Sequence, residues 1–329
     1  MEFLSGLSHP PALAASILET IGQTPLVELR RVVDQLGLNG RLLAKLEYFS
    51  PGSSKKDRVA LEIIRRAKAD GSLLEGQAVV ELTSGNTGTG LAIVCRALRH
   101  PFLAVMSRGN SVERARQMAA LGAEVILVDQ APGSVPGQVS GDDLALVEAE
   151  AIRIETGRGA FRARQFERWG SVLAHELHTG PELWEQSAGQ VDVFLDIPGT
   201  GGSLTGVARA LRSRKPEVRI YAVEPAGAAV LAGQAATAPS HKIQGAGYAR
   251  ADLPLFDRSL VTGFLQVTDN ETITSARLLA AEEGIFAGFS TGAHLAAACR
   301  LLEGPERGAT VAFLACDSGL KYLSTDLYP

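Results

Sequence analysis

From Leu42 onward the chain alternates short apolar runs with glycine-bearing turns and stretches of helical period, and this alternation limits the fold more than any other feature. Runs at 42–46, 78–82, 102–106, 125–128, 191–197, 220–223 and 311–314 read as strands, with 26–29 as a shorter alternating one. Stretches at 59–68, 91–98, 112–121, 144–156 and 204–214 repeat their apolar residues at helical spacing. Such a pattern predicts an α/β protein, with helices covering both faces of mostly parallel sheets. Ligands on sheets of this kind gather beyond the carboxyl ends of the strands, where the glycine turns lie. Residues 1–18 read as a loose arm or a dimer-exchanging extension. Residues 130–142, with their glycines and prolines, read as a loop.

A length of 329 residues suits two domains, or one large domain with a subdomain. A hydrophobic fraction of 46% indicates a packed globule. The net charge of −4 gives no footprint for nucleic acid. No run approaches the roughly 18 apolar residues that a membrane span needs, and the start of the chain lacks the basic segment of a signal peptide. Cys95, Cys299 and Cys316 are scattered within apolar runs. An odd, dispersed set predicts buried thiols in a reducing, cytoplasmic setting. His175 and His178 lack metal-ligand spacing, so no metal site is expected.

Four turns carry the chemistry. Thr83-Ser84-Gly85-Asn86-Thr87-Gly88 follows a strand and opens a helix, so its amides and hydroxyls suit a small carboxylate or a phosphate. Gly199-Thr200-Gly201-Gly202-Ser203 has the same setting and reads as a phosphate cup. Neither turn matches GxGxxG, which disfavours a dinucleotide. Gly288-Phe289-Ser290-Thr291-Gly292 matches a nucleophile elbow, but the later acid and histidine come in the wrong order for a serine hydrolase. Its glycines are expected to let backbone approach a ligand. Finally, Ser50-Pro51-Gly52-Ser53-Ser54-Lys55-Lys56-Asp57-Arg58 sets two lysines at a strand-to-helix turn. Two anion turns and a lysine together suit a phosphate-bearing aldehyde cofactor and an amino-acid substrate.

Over nearly its whole length the chain resembles the cysteine synthase/cystathionine β-synthase family, pyridoxal phosphate (PLP) enzymes of fold type II, which are tryptophan synthase β-like. The resemblance rests on 20–27, 51–58, 83–88, Gln165-Phe166-Glu167, Thr179-Gly180-Pro181-Glu182, 199–203, 241–245 and Asp317-Ser318-Gly319. It implies two three-layer α/β/α domains. The smaller, substrate-responsive one spans 47–165; the larger, holding the cofactor phosphate, spans 1–46 and 166–329. It implies Lys56 as the Schiff-base lysine rather than Lys55, with Gly199, Thr200, Gly201, Gly202 and Ser203 on the phosphate. Asn86 would lie beside the phenolic oxygen and Ser318 on the pyridine nitrogen, while Thr83, Ser84, Asn86, Thr87 and Gln165 would face the substrate.

The activity so implied is β-replacement on an activated serine, O-acetylserine or O-phosphoserine, through an aminoacrylate. Cystathionine-type condensation and β-elimination are related outcomes. The implied assembly is a homodimer, with a serine acetyltransferase-type tail as a further partner. A non-enzymatic reading is a PLP-binding scaffold gripping such a tail. Four residues depart from the family pattern. Lys55 stands where an apolar residue is usual, Arg108 lies in an altered loop, Cys316 stands where proline is common, and Ser203 replaces threonine. Lys55 is expected to point to solvent, although a shared cleft would lower the pKa of Lys56. Arg108 is a candidate reader of an anionic group, and Asp317 is expected to be solvated or capping.

Overall fold

In the computed structural model, residues 13–135 and 139–329 are described, so most of the N-terminal arm and the middle of the 130–142 loop lie outside the described residues. The first half runs β1 (Leu26–Glu28), α1 (Arg30–Leu36), β2 (Arg41–Leu46), α2 (Lys56–Ala69), β3 (Val79–Leu82), α3 (Asn86–Ala97), β4 (Phe102–Ser107), α4 (Val112–Ala120), β5 (Glu124–Val128) and α5 (Gly141–Arg158). Next come β6 (Phe161–Arg162) and α6 (Gly170–Ala174), which passes through a π-helical turn (His175–Thr179) into α7 (Gly180–Gln186). The chain closes with β7 (Val193–Asp196), α8 (Gly202–Arg212), β8 (Arg219–Pro225), β9 (Gly263–Val267), α9 (Asp269–Glu283), α10 (Phe289–Glu303) and β10 (Thr310–Ala315).

Two sheets form. The larger has the order β1-β2-β10-β7-β8-β9, and the smaller β5-β4-β3-β6. All pairings are parallel except β1 with β2. Each sheet is covered on both faces. Leu295, Leu301 and Phe289 of α10 pack with Val311 and Phe313 on one face of the larger sheet, and Leu204, Val207 and Leu211 of α8 with Phe194 and Ala312 on the other. On the smaller sheet, Ile63 and Leu91 of α2 and α3 share a cluster with Ala104, while Val147 and Ile154 of α5 cover Val80 and Leu103. The two three-layer stacks agree with the α/β expectation.

The predicted strands and helices recur within a few residues of their expected ends. Seven of these elements are not picked out by sequence reasoning: the short helices α1, α6 and α7, β6, with two residues, the edge strand β9, and the packed pair α9 and α10. A capping box, Thr268 with Glu271, was a legible start signal for α9. The elbow-like motif proves to be helix packing. A Cβ at Gly292 would come 2.1 Å from the Thr272 carbonyl oxygen, and one at Gly288 2.3 Å from Asp317 Oδ1. These glycines let α10 approach protein rather than a ligand, which corrects the expectation.

One charge cluster fixes where α2 begins. Arg58 donates to Glu47 at 2.7 Å, to Glu182 at 2.6 Å and to Thr24 Oγ1 at 3.1 Å. Lys45 completes it, its Nζ 2.7 Å from Glu182 Oε2. All of these side chains are buried. Truncating one partner of a buried pair leaves the others uncompensated, at about 3–5 kcal/mol. Arg58→Met is therefore expected to lower unfolding stability by about that amount, measured as a fall in the chemical-denaturation midpoint; an unchanged midpoint would contradict the assignment.

Candidate active site

The loops at the carboxyl ends of the strands converge, as parallel sheets dictate. Lys56 is the first residue of α2, and its amide donates to Ser54 Oγ at 3.3 Å. Burial comes first, and the Lys55 charge second, in bringing its amine down to about 8. Lys55 does not point to solvent. It is 9% exposed, and its Nζ lies 3.0 Å from Asp196 Oδ1 and 2.9 Å from Ser203 Oγ. A buried carboxylate across the cleft, invisible in local sequence, turns it inward.

The loop of residues 83–88 sits at the N-terminus of α3. The amides of Ser84, Gly85, Asn86 and Thr87 have no hydrogen-bond partner among the described residues, so they remain available to an anion. Thr87 Oγ1 donates to Gln165 Oε1 at 2.6 Å, joining two of the predicted substrate residues. That bond leaves the Gln165 amide NH2 as a donor. Thr83 Oγ1 accepts the Gly88 amide at 2.9 Å, which closes the loop and leaves the hydroxyl proton free to donate.

Asn86 meets the 317–321 segment. Its Nδ2 donates to Asp317 Oδ2 at 2.6 Å, and its Oδ1 accepts Lys321 Nζ at 2.6 Å. Asp317 is thus buried rather than solvated, and Tyr322 OH donates to the same carboxylate at 2.7 Å. Ser318 Oγ accepts the Leu320 amide at 3.2 Å, which leaves its own proton available to donate. Lys321 and Arg114 belong to the site without a sequence signal. Lys321 Nζ also bonds the Gly52 carbonyl at 2.8 Å, and burial lowers its pKa. Arg114 spans Ser84 O, at 3.3 Å, and Gln244 Oε1. Arg108 instead pairs with exposed Asp129 at 2.6 Å on the surface.

The phosphate cup opens α8. Gly201 has φ +87, and a Cβ there would strike Phe256 at 2.7 Å, so only glycine suits this turn. Thr200 Oγ1 accepts the Gly202 amide at 3.2 Å. Ser203 Oγ donates to Asp196 Oδ2, so its hydroxyl is already committed.

Sequence and structure comparisons bear on this geometry. A family model described as "Pyridoxal-phosphate dependent enzyme" matches residues 17–317. The chain belongs to the pyridoxal-phosphate dependent enzymes. It is 39% identical to a cysteine synthase of Staphylococcus aureus over 316 residues, covering 95% of this chain and 96% of that one. To an O-ureido-L-serine synthase of Streptomyces lavendulae it is 39% identical over 315 residues, covering 95% and 92%. The crystal structure of O-acetyl serine sulfhydrylase isoform 3 from Entamoeba histolytica superposes with TM-score 0.88 at 35% identity, covering 98% of this chain and 94% of that one.

The residues present fit the family's cofactor. The amides of Gly199, Thr200 and Gly201 have no partner among the described residues, which is the donor set a phosphate requires at a helix N-terminus. The loops around Lys56 also depend on the Asn86–Asp317 contact. Asp317→Ala leaves Asn86 Nδ2 and Tyr322 OH without their acceptor, for an expected loss of about 1–3 kcal/mol. A lowered thermal midpoint with faster proteolysis near residues 83–88 would confirm this; an unaltered midpoint would refute it.

Proposed function

We propose that this enzyme replaces the β-substituent of an O-activated serine, with O-acetylserine as donor, to give cysteine or a related β-substituted alanine. The observation that carries the reading is a buried amine, Lys56, at a helix start between two glycine loops in which the amides of 84–87 and of 199–201 have no partner among the described residues. Relatives named for cysteine synthesis and for O-ureido-L-serine synthesis support it, and they leave the nucleophile to be chosen by experiment.

Pyridoxal phosphate, when bound, draws electron density from the substrate's α-carbon. The chain's own groups do the rest. Lys56 holds the cofactor and takes the α-proton, and its amine is uncharged once pH rises through about 8. The amides of 84–87 and the Gln165 amide NH2 hold the substrate carboxylate. Gly199, Thr200, Gly201, Gly202 and the Ser203 backbone hold the cofactor phosphate, while Asn86 and Ser318 flank the ring. Arg108, paired at the surface, offers no charge to an O-phosphoserine, which favours the acetyl donor. The reading includes a division into 47–165 around the smaller sheet and 1–46 with 166–329 around the larger. It also includes a homodimer, a cytoplasmic setting and a serine acetyltransferase-type tail as partner; sedimentation with and without such a peptide tests the assembly.

Supplying O-acetylserine with sulfide should yield cysteine, and Lys56→Ala should lower turnover by at least about a hundredfold. Borohydride reduction of the cofactor-bound protein should leave the pyridoxyl group on the Lys56 peptide. A label on Lys55 overturns the lysine assignment. Pyruvate and ammonia in place of cysteine would move the reading to elimination.

A further inference from the structure

Next to the phosphate cup lies a second polar cluster that the proposed reaction does not use. Lys55, Asp196, Ser203, His294 and Cys316 meet from the start of α2, the end of β7, α8, α10 and the end of β10. All are buried, and Asp196 and His294 expose nothing. Asp196, His294 and Cys316 each present a ligand atom within 4.8 Å of the others, the closeness of a metal site. Here the Lys55 ammonium supplies the cation. It lies 3.0 and 3.1 Å from the two Asp196 oxygens, 2.9 Å from Ser203 Oγ, and beside Cys316.

His294 does not compete for that role. Its Nδ1 donates to the Leu314 carbonyl at 2.8 Å, and its Nε2 accepts the Ile197 amide at 2.8 Å. An amide aimed at Nε2 requires a lone pair there, so the ring is neutral despite Asp196 at 3.2 Å, which by itself favours the imidazolium. The buried carboxylate therefore balances one ammonium. Lys56 is the next residue, and Asp196 and Cys316 act on its amine as they do on Lys55. A second ammonium in this space has no second carboxylate to meet it.

We propose that Lys55 is a positioning residue for Lys56: a fixed ammonium, clamped by Asp196 and Ser203, that claims the buried carboxylate and disfavours a second charge on the neighbouring amine. The inference rests on Lys56 as the cofactor lysine. The titration of Lys55, Lys56 and His175 runs in the direction this requires. Against its burial, Cys316 and Asp196 draw His294 up to about 9, and the Ile197 amide donating to its Nε2 opposes that charge. Burial works against the charge on Lys55, but Asp196 outweighs it and holds that amine above the ordinary lysine range. Burial, and then Lys55, bring Lys56 down, against the pull of Asp196 and Cys316. His175, facing the same space from the π-helical turn, is kept neutral by burial and then by the Lys55 charge. The same clamp uses up the Ser203 hydroxyl, which leaves the phosphate to Thr200 and backbone amides.

The test is the pH dependence of the rate at which cofactor-free protein takes up pyridoxal phosphate, followed by visible absorbance from neutral to alkaline pH. Uptake needs the uncharged amine, so the wild-type rate should rise through about pH 8. Lys55→Met leaves Asp196 to stabilise a charged Lys56. Its edge should move up by about one pH unit or more, with uptake at neutral pH falling roughly tenfold. Lys55→Arg keeps the charge and should hold the wild-type edge. If Lys55→Met does not fold, Lys55→Gln, whose amide can still donate to Asp196 and Ser203 but carries no charge, leaves the same carboxylate uncompensated and carries the same upward shift. A folded variant with the wild-type edge overturns the proposal and reduces Lys55 to a filler of the cleft. Wild-type protein that acquires no visible band overturns the cofactor reading instead.

Discussion

Everything at the site depends on the buried guanidinium of Arg58. With Lys45 it meets Glu47 and Glu182, two cations against two anions, and it binds the Thr24 hydroxyl as well. Thr24 precedes β1, Glu47 follows β2, and Glu182 lies in α7, so one residue of α2 ties three distant segments together. A charged group out of water tolerates only a narrow geometry, because each lost hydrogen bond exposes its full desolvation cost. The start of α2 is set accordingly, and Lys56 lies two residues before that anchor. Stretches 20–27, 51–58 and 179–182, which look like separate motifs along the chain, share this one electrostatic task.

The functional loops come from both sheets and meet through side chains. Asn86 of the smaller-sheet loop is held by Asp317 and Lys321, which follow the last strand of the larger sheet. Lys55, after β2, is held by Asp196 at the end of β7. Polar contacts of this type specify position without the bulk of a hydrophobic core, and each stays correct only while its partner is present. The adjacent lysines then acquire opposite characters. Lys55 has a carboxylate and remains charged; Lys56 has burial and a like-charged neighbour, and sheds its proton more readily.

Much of this was legible in the sequence by itself. Strands followed by glycine turns and helices determined an α/β fold, because side-chain periodicity and turn chemistry are local properties. The same turns placed unpaired amides at two helix starts, and the residues around Lys56 singled it out from Lys55 by resemblance. The strand β6 left little local signal because its two buried residues are too few to show a period, and the edge strand β9 because only Val267 of its residues is buried. Only the tertiary structure decided how the charges are shared. Lys55 turns inward because Asp196, 141 residues away, awaits it in a dry space. Asp317 is buried because Asn86 and Tyr322 donate to it, and Arg108 stays at the surface with Asp129. A charged side chain's direction follows the nearest partner and the local burial, and neither is fixed until distant strands have come together.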